Sequence, residues 1–247
     1  MDAPGLKALV KCLPSGIKAV VAAPATERSA CGHSISLGQK LRVEETRSKG
    51  IGYYRVHGTP ADAVKFALSV LTDFKPDLVV SGINHGANTG VSVYYSGTIS
   101  AAREGFINHV PAIAVSLCSK TSKDFRGAAD FARRLIKAYA AKKFPRNVML
   151  NVNVPPLAPE KIRGVRVTKQ AASRFIEEFV TEKARSGKKV YSLAGEIELI
   201  RPDGTSDEEA VAEGYISLTP LKLDLTEYDL MPIFETWAKT EKGASYV

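Results

Sequence analysis

Two stretches of the sequence concentrate side chains suited to phosphate and hard-cation chemistry. Pro24 to Ser36 reads PATERSACGHSIS, and Ser81 to Thr98 reads SGINHGANTGVSVYYSGT. The second stretch is too long and too rich in Gly and Asn for a plain connection. Gly82, Gly86 and Gly90 let backbone come close to a ligand. Ser96-Gly97-Thr98 then opens a helix, where unpaired N–H groups and hydroxyls form an anion site. Ser29 and Asn84 carry a hydroxyl and an amide oxygen that can ligate Mg²⁺ or Mn²⁺. Alone they are weak ligands, and no Asp-Asp or Asp-x-Asp pair lies in any strand-end loop. Asp62, Asp73 and Asp77 read more simply as helix or turn residues. His85 shares the second loop and is a candidate substrate contact. The plainer use of each feature is structural: Gly and Asn shape turns, and Ser96 caps a helix.

Alternating strands and helices position these loops. Asp2 reads as an N-cap ahead of Pro4, with Leu6, Leu9, Val10 and Leu13 at helical spacing. Ile17 to Ala23 is an apolar run interrupted only by Lys18 and reads as a buried strand. Leu41 to Thr46 and Tyr53 to Val56 read as a strand pair around Lys49-Gly50. Thr59-Pro60 starts a helix striped by Val64, Ala67, Leu68 and Leu71. Leu78 to Val80 is a short strand, Ser81 to about Ser96 a loop, and Gly97 to Asn108 a helix. Pro111 to Leu117 and Val148 to Val154 are strands flanking a helix within 122–142, which shows Phe125, Ala128, Ala132, Leu135, Ile136 and Tyr139 on one face. This pattern predicts a Rossmann-like α/β/α core over residues 1–159, with a mainly parallel sheet. Ligands of such sheets sit beyond the C-terminal strand ends, where both loops and the segment after Leu117 lie. Past Pro159 the texture turns β-rich. Residues 164–168, 174–180, 190–200 and 215–219 read as strands with no helix between them, and a short helix is expected from Tyr228 to about Thr240. Residues 160–247 are thus predicted to be a hairpin-bearing extension.

Composition narrows the class. The 247 residues are 45% hydrophobic and 24% charged, which suits a soluble globular chain. No apolar run is long enough for a membrane span, and Met1-Asp2-Ala3-Pro4 shows neither the basic nor the apolar part of a signal peptide. Three cysteines, far apart and without Cys-x-x-Cys, fit a reducing, cytoplasmic setting better than disulfides or a thiolate metal site. The net charge of +8 favours anionic partners. It is not condensed into one block: Lys142, Lys143 and Arg146 cluster at a helix end, and Lys183, Arg185, Lys188 and Lys189 in a turn. No Walker A, no strand-following G-x-G-x-x-G and no G-x-S-x-G elbow is present, which weakens kinase, dinucleotide oxidoreductase and α/β-hydrolase readings.

In these segments the sequence resembles the SurE survival-protein family. The resemblance runs in order through DAPGLKAL at 2–9, the pattern from Ala23 to Ser34, HGTPAD at 57–62, PDLVVSGINHGAN at 76–88, YSGT at 95–98 and EGYISLTPL at 213–221. It implies a metal-dependent phosphohydrolase acting on nucleoside 5′- and 3′-monophosphates, with polyphosphate a further substrate of some members. It implies a homodimer or homotetramer built through the hairpin and C-terminal extension, with no specific nucleic-acid binding. Ser29 and Asn84 match two of the family's ligands to one divalent ion, Mg²⁺ or Mn²⁺. Asn88, Ser96, Gly97 and Thr98 match its phosphate-side loop. The family's remaining ligands are two adjacent aspartates in an Asn-Asp-Asp-Gly turn after a first strand, ahead of the segment matching Asp2 to Leu6. Residues 1–247 contain neither that strand nor that turn, and Asp2 matches a variable position after it. A start codon placed too late would explain this. The alternatives are a catalytically impaired nucleotide- or phosphate-binding relative and a generic Rossmann-like domain. Loss of a central strand is expected to bare the edges of its neighbours, and loss of both carboxylates to collapse cation affinity and activity.

Overall fold

The computed structural model describes residues 1–71, 73, 75–183 and 189–241. The first helix, α1 (Pro4–Lys11), takes Ala3 as its N-cap, while Asp2 pairs with Lys7 and Arg55. Asp2 is thus not the cap: Pro4 forces the residue before it into extended backbone, which makes Ala3 the last non-helical position. Strands β1 (Val20–Pro24), β2 (Val43–Ser48) and β3 (Ile51–Val56) form a small sheet with β3 central, parallel to β1 and antiparallel to β2. Lys49 and Gly50, at φ 50° and 79°, make the tight two-residue turn between β2 and β3. Helix α2 (Pro60–Val70) opens on a reciprocal cap: the Asp62 N–H donates to the Thr59 hydroxyl at 3.1 Å, and the Thr59 N–H donates to the Asp62 carboxylate at 2.8 Å.

The larger sheet holds β4 (Val79–His85), β5 (Ala112–Leu117) and β6 (Met149–Val154), all parallel. Strand β10 (Ile216–Pro220) runs antiparallel to β6, and β7 (Val165–Val167) pairs parallel with β10 at the edge. Side chains of β5 alternate between faces. Ile113, Val115 and Leu117 meet α1 and α5 (Arg126–Ala140) through Leu9, Phe131 and Leu135. Ala112 and Ala114 meet α4 (Gly97–Ile107) through Ile99 and Ala102. The small alanines let α4 approach closely, and burying each large side chain stabilises the fold by roughly 1.5–3 kcal/mol. The expected α/β/α core with a mainly parallel central sheet is therefore present.

Within residues 1–159, three elements differ from the sequence reading. The ladder of β4 continues past Ser81, through a register shift, to Asn84 and His85, so the start of the anticipated loop is strand. Glycine at 82 and 86 disguised it, because glycine is depleted in strands. Residues 86–91 remain irregular, and a short helix, α3 (Ser92–Tyr95), follows them. The strand expected over Ile17 to Ala23 begins only at Val20; Val21 is its one buried residue, and Ile17 is 40% exposed.

The reason lies beside β1. Strands β1 and β4 each have a ladder partner on one side only among the described residues. Both line a cleft of about 2050 Å³ that separates the two sheets. Its walls include Val20, Ala22, Val80 and Ile83, with Leu9 and Leu68 from the flanking helices. Among the described residues, one side of β1 therefore has no neighbouring strand to bury it.

Beyond β6, the hairpin β8 (Ser173–Lys183) and β9 (Lys189–Leu199) stands apart from both sheets. Arg185 and Lys188 of the basic turn fall outside the described residues. Helix α6 (Asp207–Ala212) breaks the expected all-strand texture. Its signal was the capping box of Ser206 and Glu209, both of whose bonds form. Helix α7 (Met231–Thr240) follows a single 3₁₀ turn. Among the described residues no helix is long and apolar enough to cross a membrane.

Candidate functional site

The loop after β1 is held against the start of α4 by backbone. The Gly32 N–H donates to the Tyr95 carbonyl at 2.9 Å, and the Ser100 hydroxyl donates to the Gly32 carbonyl at 2.6 Å. Glu104, 2% exposed on α4, fixes the same loop by accepting from His33 Nε2 and Lys65 Nζ, each at 2.8 Å. Burial alone raises the pKa of the Glu104 carboxyl. The bonds from Lys65 and His33 outweigh that and hold it below the ordinary glutamate range. Asp62 does similar work further along, taking the N–H and hydroxyl of Ser36. Ser29 itself is exposed, and its hydroxyl donates to Glu27 Oε1 at 3.2 Å.

Asn84 and Thr98 meet. The Thr98 hydroxyl donates to Asn84 Oδ1 at 3.3 Å, while Asn84 Nδ2 donates to the Gly86 carbonyl at 2.8 Å. Ser96 is the N-cap of α4, its hydroxyl accepting the Ile99 N–H at 3.1 Å. The N–H groups of Gly97 and Thr98 lie in the first helical turn, where they have no intrahelical partner. Gly97 has no room for a side chain: a Cβ there would lie 2.9 Å from Pro60 Cγ and 3.2 Å from the Arg28 carbonyl oxygen. The loop carrying Ser29 and the helix start are therefore in contact.

Asn88 is buried, and most of its polar groups are already used. Its N–H donates to Asn153 Oδ1 at 2.8 Å, and its carbonyl accepts from Asn151 Nδ2 at 2.8 Å and Asn153 Nδ2 at 3.2 Å. Its Nδ2 donates to Ser116 Oγ at 2.9 Å. That leaves Oδ1 as its one polar atom without a protein bond among the described residues. Asn151 and Asn153 escaped the sequence reading. The signal was present as Asn-Val-Asn, two amides on one face of an apolar strand. His85 Nε2 donates to the Ser122 carbonyl at 2.7 Å, and its ring tilts against Phe125.

Ser29, Asn84, Asn88, Ser96, Gly97 and Thr98 all line the cleft between β1 and β4. Arg28 and Lys120, each just past a strand end, line it too and place positive charge where an anion would enter. Among the described residues no cluster of three or more His, Cys, Asp or Glu could hold a metal. Ser29 and Asn84 are neutral donors, so these residues do not by themselves fit a divalent ion; they can complete only a larger donor set. What the residues present can do is bind a phosphoryl group with N–H and O–H donors.

The family model described as Survival protein SurE matches residues 1–177. A protein of Symbiobacterium thermophilum named 5′-nucleotidase SurE is 44% identical over 243 residues, covering 96% of this chain and 94% of the relative. One of Moorella thermoacetica with the same name is 44% identical over 230 residues, covering 92% and 88%. The crystal structure of Sure protein from Aquifex aeolicus aligns with a TM-score of 0.81 and 35% identity, over 96% of this chain and 95% of that one.

Proposed function

The chain belongs to the Survival protein SurE family, and from that premise we propose that it is a 5′-nucleotidase that hydrolyses nucleoside monophosphates at the strand-end cleft. The observation that carries the reading is the contact between Thr98 and Asn84, which joins the anion-binding helix start to the strand-end amide. The relatives' names favour this over the impaired phosphate-binding relative. In the reaction, water oxygen bonds to phosphorus as the ester P–O bond breaks, and the nucleoside oxygen leaves with a proton. The first-turn amides of Gly97 and Thr98 and the Ser96 and Thr98 hydroxyls receive the phosphoryl oxygens and favour the charge that grows on them. Arg28 and Lys120 draw the anion in.

Nucleotidases of this family are metal-dependent, and Mg²⁺ or Mn²⁺ is the proposed ion. Ser29 and Asn84 would be this chain's donors to it. Their neutral oxygens predict weak affinity until carboxylates join them.

We further assign residues 1–159 to the catalytic core and residues 160–247 to assembly into a homodimer or homotetramer. The support is apolar surface left exposed on the extension: Phe179, Tyr191 and Leu193 on the hairpin, and Ile233, Phe234 and Trp237 on α7. The reading is tested by phosphate release from AMP with Mn²⁺ or Mg²⁺, with and without chelator. Chelator-sensitive release supports it, and release indifferent to chelator overturns the metal dependence.

A further inference from the structure

The loop that carries Asn88 is also gripped from the C-terminal extension. The Gly90 N–H points between both oxygens of Asp207, at 3.2 Å from each. The Gly90 carbonyl accepts from Gln170 Nε2 at 2.8 Å. The next N–H, of Val91, donates to the hydroxyl of Ser173 at 2.9 Å. Both backbone polar groups of Gly90, and the N–H of Val91, are thus held by residues between 170 and 207, with the Val93 N–H a further donor to the Gly90 carbonyl at 3.3 Å. Gly90 sits at φ 47°, and a Cβ on it would overlap Ser173 Oγ and Glu208 Oε1, so the grip leaves space for glycine alone.

Asp207 is completely buried on the first turn of α6. No cation pairs with it among the described residues. Its charge is met by backbone instead: besides Gly90, the N–H groups of Ala171 at 2.9 Å and Glu208 at 3.0 Å donate to Oδ1. Burial pushes its pKa up despite these donors. A buried carboxylate without a countercharge is costly for stability alone. Here its bonds run to the segment that leads, through α3, into Ser96-Gly97-Thr98. Ser173 is also the first residue of the hairpin strand β8. The same bonds therefore tie the root of the hairpin to the substrate loop.

We propose that Asp207, with Gln170 and Ser173, is a positioning residue that sets residues 88–91 for substrate binding and couples the hairpin extension to the site. This rests on the nucleotidase reading for its functional consequence but not for the clamp itself. The test uses the full chain and the variants Asp207→Ala, Asp207→Asn and Gln170→Ala. Hydrogen exchange is measured at the Gly90 and Val91 amides, with β5 and β6 amides as the control, and KM and kcat for AMP are measured beside it. Asp207→Ala is expected to speed exchange at Gly90 and Val91 about tenfold or more, while the core strands keep their protection. KM should rise about tenfold with a smaller change in kcat, since the lost contact serves binding rather than bond breaking. Asp207→Asn, which keeps one acceptor oxygen, should restore part of both.

If Asp207→Ala does not fold, Gln170→Ala decides, with about threefold faster exchange expected at the same amides. Wild-type exchange at Gly90 and Val91 in a folded variant overturns the proposal. So does a raised KM with an unchanged loop, or a uniform loss of protection through the core. Absence of AMP turnover both in the wild-type chain and in a form extended ahead of Met1 by a strand ending in Asn-Asp-Asp-Gly would instead count against the nucleotidase reading, and the exchange measurement would still decide the clamp.

Discussion

One side chain satisfies both backbone groups of another residue: Asn153 accepts the N–H of Asn88 at 2.8 Å and donates to its carbonyl at 3.2 Å. The Asn153 amide thus serves the loop as a neighbouring strand would. Both residues are buried, so water cannot replace either bond. Asn153→Leu is expected to lower stability by about 1–3 kcal/mol, from the orphaned Asn88 N–H, since Asn151 Nδ2 still serves the Asn88 carbonyl. Denaturant unfolding checks this. A loss within experimental error of zero would mean the loop finds other partners.

Glu104 gives a pH dependence with a definite sign. Its folded pKa is lowered from 4.5, so the ionised form adds stability that is present above that value and lost as pH falls through the folded pKa. Glu104→Gln should be less stable than wild type at neutral pH, and the gap should close in acid. Unfolding free energies at several pH values below about 6 test the sign. A gap that stays constant would place the lost stability elsewhere than in this ionisation.

Gly97→Ala probes the close approach at the helix start. A methyl there meets Pro60, Arg28 and Cys31, so the Ser29 loop must move away from α4. The expected cost is about 1–3 kcal/mol of stability from overpacking. Phosphate or AMP affinity should fall with it, read by calorimetry. Full affinity at reduced stability would show that the loop contact is not needed for binding.

Much of this site could be read in the sequence, and the unread part has a common physical cause. Thr59-Pro60 and Ser96-Gly97 announce their helices because capping is local chemistry between residues three apart. The stripe on α5 is equally local. Asn151, Asn153, Gln170 and Asp207 were missed because their partners, Asn88 and Gly90, lie between 63 and 117 residues away. Apart from the Asn-Val-Asn alternation inside an apolar strand, nothing in a local window marks such a polar residue as a clamp rather than a solvated surface. Val21 and Ile17 mislead in the opposite direction: their run is apolar enough for a buried strand, but one neighbour of that strand is absent among the described residues.

The cleft between β1 and β4 yields a prediction about cation binding. An apolar segment ending in Asn-Asp-Asp-Gly, joined ahead of Met1, should pair with the bare strand edges and bring two carboxylates toward Ser29 and Asn84. Mn²⁺ affinity should rise about tenfold or more, followed by calorimetric titration, because carboxylates dominate hard-cation binding. In that extended protein Asn84→Ala or Ser29→Ala should weaken the gain. Unchanged Mn²⁺ affinity in both variants would remove these two residues from the donor set.

The most direct test of the central claim is phosphate release from AMP, with Mn²⁺ and with chelator, by the 247-residue chain and by its extended form. The account predicts chelator-sensitive release that is far faster in the extended form. No release from either protein, or release that a chelator leaves untouched, would contradict it.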